Sequence, residues 1–205
     1  MTPRLYLLTP PAFEPGPFAE TLKATLGAAD VACVRLTMDA GEDALRRAAD
    51  ALRPVCAAAD VALVIAEHVR LVAPHGLDGV HLGDPSPGAV RRAREALGAD
   101  AIVGAFAGAS RHRGMNAAEA GADYVALGPL RAGALGDGEE ADPALIAWWQ
   151  EMIETPCVAE GGMSPAVARS LRGAADFVAV RRSVWDAPEG PVAALAAYAA
   201  ALRPD

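Results

Sequence analysis

The sequence predicts an α/β fold, a single-domain (β/α)8 or TIM barrel spanning residues 1–205, and three observations carry that expectation. Short, wholly apolar runs alternate with helix-like stretches eight times along the chain. Uninterrupted apolar runs mark parallel strands covered on both faces, and eight such units in about 200 residues or more fit a closed barrel. A phrase also recurs: residues 121–130 read GADYVALGPL, 76–83 read GLDGVHLG and 173–180 read GAADFVAV. In each, glycine closes a helix, an aspartate follows and an apolar strand begins. Finally, the chain is 53% hydrophobic but only 5% aromatic, so its core is built from Ala, Val and Leu, which suits close helix–sheet packing. An open, doubly wound sheet is the structural alternative; it would usually need fewer strands, and no GxGxxG follows the first one.

The elements follow in order. Strands are expected over 5–9, 32–36, 61–66, 79–82, 101–105, 124–128, 157–159 and 177–180. Helices are expected over 18–26, 42–52, 68–73, 87–97, 115–120, 143–151, 165–172 and 191–202. Three of them open on a polar residue followed by proline: Ser86-Pro87, Asp142-Pro143 and Ser164-Pro165. The polar side chain accepts from an orphan N–H, and proline at the first helical position gives up no hydrogen bond.

The net charge of -8 argues against nucleic acid or an anionic membrane as the main partner. Small anions are not excluded, because a few arginines and local dipoles override global charge. Cys33, Cys56 and Cys157 have no paired spacing, which suggests reduced thiols. The start has too short an apolar run for a signal peptide, and no stretch reaches membrane-span length. The expectation is a cytoplasmic protein, with a homo-oligomer left open.

Candidate chemistry gathers after the strand ends, where barrel enzymes keep it. Gly161-Gly162 follows the seventh strand, and Arg181, Arg182 and Ser183 follow the eighth. Glycines admit close backbone approach to an anion, and arginine grips phosphate oxygens. Arg35 ends the second strand and is either paired to a carboxylate or aimed at an anionic ligand. Glu67 and Asp84 follow the third and fourth strands; they could hold Mg²⁺ with a diphosphate, or simply start helices. His81 is expected as a hydrogen-bonded interior residue, and His112 as a titratable or merely exposed one.

The phrases GLDGVHLGD, GADYVALGP and CVAEGGM, with the eighth strand, resemble the thiamine-phosphate synthase family, which includes the thiazole tautomerases. The resemblance runs over nearly the whole chain from LYLLT onward. It implies a (β/α)8 fold and a Mg²⁺-assisted condensation of hydroxymethylpyrimidine diphosphate with thiazole phosphate, releasing pyrophosphate. It also implies small phosphorylated heterocycles as partners. Arg35 coincides with the family's arginine on strand two, while Thr37 stands where a lysine is expected. Ala66-Glu67 replaces an Asn-Asp pair; Asp84 takes a Gln place and Ser86 an acid place. The loop after strand six carries neither the usual Thr nor Lys, whereas Gly128-Pro129 and Gly161-Gly162 are retained. The usual Val-Ser of strand eight becomes Arg181-Arg182, with Ser183 a register later. The resemblance thus assigns catalysis to Arg35 and Glu67, metal binding to Glu67 and Asp84, and phosphate binding to Gly128, Gly161, Gly162, Arg182 and Ser183. Two other readings remain: a non-catalytic binder of a thiamine-pathway phosphate, and an isomerase with His112 as proton carrier.

Overall fold

The computed structural model describes residues 2–131 and 139–204. Eight parallel strands close in sequence order, each hydrogen-bonded to the next and the eighth to the first. They are β1 (Arg4–Leu8), β2 (Val31–Leu36), β3 (Ala62–Ala66), β4 (Gly79–Leu82), β5 (Ile102–Gly108), β6 (Tyr124–Leu127), β7 (Cys157–Ala159) and β8 (Phe177–Val180). The helices are α1 (Pro15–Leu26), α2 (Glu42–Ala58), α3 (Pro87–Leu97), α4 (Arg111–Glu119), α5 (Pro143–Met152), α6 (Pro165–Ser170), α7 (Arg182–Trp185) and α8 (Pro191–Leu202). A short 3-10 turn, Val69–Leu71, stands where a third helix was expected after β3. The barrel is as predicted, and the open sheet is not found.

Strand alternation divides the apolar residues between two cores. Leu7, Val34, Leu63, Val80, Val103, Val125 and Val178 face the helix layer. Tyr6, Leu8, Cys33, Val64, Tyr124, Ala126, Val158 and Ala179 fill the barrel itself. Gly104 makes room there, for a Cβ on it would lie 2.0 Å from the Tyr124 ring. All three cysteines are buried, and burial pushes each thiol up to about 12, so none is a ready thiolate.

The recurring Gly…Asp phrase has a physical purpose. Asp78, before β4, donates its N–H to the Leu63 carbonyl and accepts the Leu63 N–H at 2.7 Å. Asp123, before β6, makes the same pair of bonds with Val103, its carboxylate accepting at 2.7 Å. Asp176, before β8, accepts the Cys157 N–H at 2.8 Å. Each carboxylate therefore ties the start of one strand to the strand before it, on the face away from the strand C-termini.

The expected caps form: Ser86 accepts from Ala89 N, Asp142 from Ala144 N and Ser164 from Val167 N. Some boundaries differ. The second helix, expected to stop at Leu52, runs through Pro54 to Ala58, because Cys56 continues the buried face of Leu45, Ala49 and Leu52. α4 begins at Arg111, capped by Ser110, where the sequence placed the helix start at Met115. Gly114 sits inside it because a Cβ would meet the Trp149 ring at 2.5 Å. α7 was not anticipated from the sequence.

Asp123→Ala removes a charge-assisted bond and leaves the Val103 N–H unmatched. We expect a loss of about 1–3 kcal/mol in chemical denaturation. The strand-end chemistry should be unchanged, since Asp123 lies at the opposite end of the barrel.

Candidate active site

The mouth of the barrel at the C-terminal ends of β7 and β8 holds a cavity of about 330 Å³. Its rim is Gly161, Gly162, Arg131, Arg182 and Ser183, and Leu8, Ala179 and Glu160 also line it. Four of the residues expected to act together, Gly161, Gly162, Arg182 and Ser183, are therefore brought together. Gly161 and Gly162 have φ of +85° and +80°, which only glycine adopts without strain. A Cβ on Gly162 would also lie 2.3 Å from the Cβ of Arg131. Among the described residues, the N–H groups of these two glycines donate to nothing. Gly128 lines a neighbouring cavity with Phe106 and Arg113 instead. Its lack of a side chain still serves the mouth, since a Cβ would fall 2.1 Å from the Glu160 carbonyl oxygen.

Tyr198 of α8 joins the two halves of this rim from below. Its buried hydroxyl lies 2.8 Å from the Met163 carbonyl and 2.7 Å from Ser183 Oγ. One proton serves one acceptor, so Tyr198 donates to the carbonyl and accepts from Ser183.

The two adjacent arginines diverge. Arg182 is exposed, and its Nε donates to Asp186 at 3.2 Å. Arg181 continues the inward parity of Phe177 and Ala179; it is half-buried, and its Nε donates to the Thr9 carbonyl at 3.2 Å. Burial, then the charge of Arg35, holds its pKa below the ordinary value. Thr37, at the place of the expected lysine, bonds to Thr9 through both its N–H and its hydroxyl at 3.0 Å.

Arg35 takes the first of the two roles left open for it. Its Nη2 donates to Glu160 Oε1 at 2.7 Å, with the two side chains only 4% and 7% exposed. Burial opposes its charge, but Glu160 and the two neighbouring tyrosines outweigh that and hold its pKa above the ordinary value. The guanidinium stands 5.6 Å from the Tyr6 ring centre. Tyr6 and Tyr124 hydroxyls meet at 2.6 Å, and Tyr124 Oη lies 2.9 Å from His81 Nδ1. His81 is thus the satisfied interior residue that the sequence suggested. Glu160 was not singled out in the sequence, and Arg181 was named beside Arg182 without being preferred as the phosphate ligand; alternation along β7 and β8, continued past the strand ends, is the signal that points both inward.

Glu67 and Asp84 lie together at the ends of β3 and β4, outside the β7–β8 cavity. Glu67 Oε1 accepts from Gly83 N at 2.6 Å, and Glu67 itself sits at φ +65°, strained for a non-glycine residue. Asp84 accepts from Ser86 N at 2.9 Å and Ser86 Oγ at 2.8 Å, and these bonds lower its pKa. Among the described residues no group of three or more potential ligands gathers around one point. Two carboxylates still match Mg²⁺, which takes one or two from protein and completes its shell with water and phosphate oxygens. His112 is exposed on α4 and lies 3.1 Å from Asn116 Nδ2. The loop expected after β6 falls largely outside the described residues, from 132 to 138.

Comparison with known proteins follows the same outline. The profile of a family described as thiamine monophosphate synthase matches residues 5–184. A thiamine-phosphate synthase of Rhodospirillum centenum is 48% identical over 204 residues, covering 98% of both chains. One from Hyphomonas neptunium is 41% identical, covering 95% of this chain and 91% of its own. A thiamine phosphate pyrophosphorylase structure from Pyrococcus furiosus superposes with a TM-score of 0.83 at 24% identity, over 97% of this chain and 95% of that one, and so shares the fold. No helix among the described residues is long and apolar enough to cross a membrane.

Burial, and then Arg35, holds the pKa of His81 well below its ordinary 6.5. The folded chain therefore keeps it neutral where the unfolded chain takes up a proton. Its contribution is complete above about pH 6.5 and is lost as pH falls below that, with a slope of at most about 1.4 kcal/mol per pH unit. Unfolding free energies measured from pH 7 to 5 should fall less steeply in His81→Gln than in the wild type. Equal slopes would remove His81 from the acid limb.

Proposed function

The chain belongs to the thiamine monophosphate synthase family and is a thiamine-phosphate-synthase-like protein of thiamine biosynthesis; we propose that its barrel mouth carries the condensation itself, with the two phosphorylated substrates on opposite rims. One observation carries the placement. In a chain of net charge -8, three arginines (Arg131, Arg181 and Arg182) converge with Gly161, Gly162 and Ser183 on one cavity.

The thiazole phosphate takes that cavity. Arg181 and Arg182 offer charge-assisted bonds to its oxygens, and the free N–H groups of Gly161 and Gly162 offer neutral ones. The contact of Tyr198 with both Met163 and Ser183 keeps the two loops at fixed separation. The pyrimidine diphosphate lies toward β3 and β4, its diphosphate near Glu67 and Asp84. Mg²⁺ held by these two carboxylates would neutralise charge developing on the leaving diphosphate. In the reaction the methylene C–O bond breaks, pyrophosphate leaves with the electron pair, and the thiazole nitrogen forms the new C–N bond. The protein's part is to hold the two reactants in line and to keep the phosphate anchored while charge redistributes.

Incubation with both substrates and Mg²⁺ should release pyrophosphate in step with thiamine phosphate; none at high enzyme concentration would sink the catalytic reading. Arg181→Met and Arg182→Met should each raise the KM for thiazole phosphate about 10-fold with smaller changes in kcat. The effect should be larger for Arg181, since Arg182 is exposed and already shared with Asp186.

A further inference from the structure

Tyr198 holds a hydroxyl chain whose polarity is wrong for the anion proposed in the β7–β8 cavity. The residue is 1% exposed, and burial raises the phenol's pKa, so it keeps its single proton. That proton goes to the Met163 carbonyl at 2.8 Å, which accepts no other bond among the described residues. Ser183 Oγ, 2.7 Å from the phenol oxygen, must then donate to it. The consequence falls on the other side of the serine. Ser183 lines the cavity with its proton turned away, so its hydroxyl presents only lone pairs there. An ionised phosphate oxygen also offers only lone pairs, and two acceptors facing one another repel.

The same three groups allow a second arrangement. The phenol turns its proton from Met163 to Ser183 Oγ, and the serine turns its own into the cavity. Both protons rotate about their C–O bonds; none is transferred, and the heavy atoms stay in place. The exchange leaves the carbonyl of Met163, a residue only 7% exposed, without a partner. It gains a hydrogen bond to a charged oxygen, roughly twice as strong as a neutral one, from a serine that Tyr198 polarises from behind.

We propose that phosphate reverses this hydroxyl pair, which makes Tyr198 a positioning residue: Ser183 becomes a donor only when a ligand is seated. The inference rests on the thiazole-phosphate placement proposed above and names how that rim responds to its ligand. Reversal subtracts the Met163 bond from the affinity. The rim therefore holds a phosphate less tightly than its arginines and glycine N–H groups would allow, and a product that keeps this phosphate leaves more easily.

The test uses Tyr198→Phe, which keeps the ring and removes the hydroxyl. The Met163 carbonyl is then unmatched with or without ligand, and Ser183 is free to donate. Calorimetry on the full chain should show thiazole phosphate bound about 5- to 10-fold more tightly than by the wild type, while the denaturation midpoint falls. In a Ser183→Ala background the same substitution should change the affinity less than about 2-fold. A tie between two loops and nothing more predicts the opposite sign, weaker binding. Affinity equal to or below that of the wild type would therefore overturn the proposal, as would a gain that persists without Ser183. If Tyr198→Phe does not fold, the tyrosine Fermi doublet in the Raman spectrum of the wild type decides, since it reports whether a phenol accepts a hydrogen bond. On saturation with thiazole phosphate, a shift toward a non-accepting phenol supports the reversal and an unchanged doublet defeats it. Failure of the wild type to bind thiazole phosphate defeats the placement and the reversal together; binding without reversal leaves the placement standing.

Discussion

The barrel closes around an ion pair, and much of the mouth is placed by it. Arg35 from β2 and Glu160 from just beyond β7 meet inside the sheet, where removing either partner would leave an uncompensated charge at a cost of about 3–5 kcal/mol. Glu160 is also a backbone anchor. Its carbonyl accepts from Leu130 N at 3.2 Å and passes so close to Gly128 that no side chain fits there. Leu130 N reaches the Gly161 carbonyl as well, at 2.9 Å. The residue that satisfies Arg35 thus sets the distance between the end of β6 and the Gly161–Gly162 turn.

Much of the fold was legible because its signals are local. Each apolar run is its own strand, and each Gly…Asp phrase is a clamp between neighbouring strands, as Asp78 and Asp123 show. The glycine pair and the Arg181–Ser183 segment were legible as a group because they follow consecutive strands of a barrel. What lies inside the barrel was less so. Arg35 could be read as ligand-facing or as paired, since its partner stands 125 residues away and looks in isolation like any acid at a loop start. The choice between Arg181 and Arg182 turns on parity along β8, which composition does not carry.

The helix ends were missed where packing overrides local preference. A proline in a helix removes one backbone bond, yet α2 continues through Pro54 because its last turn buries Cys56 completely. The first turn of α4, Arg-His-Arg, shows no apolar face, but the Ser110 cap starts it there. Its Gly114 costs helix propensity and gains the contact with Trp149, which is wholly buried and donates to the Thr155 carbonyl.

The β7–β8 and β3–β4 rims of the barrel mouth carry opposite charge, and on the proposed function that asymmetry sorts two phosphorylated molecules. Around β7 and β8, Glu160 is the only acid among the described residues that lines the cavity, and its charge is already matched by Arg35. Arg131, Arg181 and Arg182 therefore act there as net positive charge, discounted for Arg182 by Asp186. Around β3 and β4 the ends carry Glu67 and Asp84, a negative pair that repels a bare phosphate. On the proposed function, a monophosphate is drawn to the first rim and repelled by the second. A diphosphate bound with a divalent cation reverses that preference at the acidic rim, where the cation is the attractive group. On the proposed function, the replacement of the expected lysine by Thr37 removes a cationic side chain from the diphosphate rim and leaves it to the carboxylates and the ion they hold. Binding at that rim should therefore depend more steeply on the cation than binding at the arginine rim does.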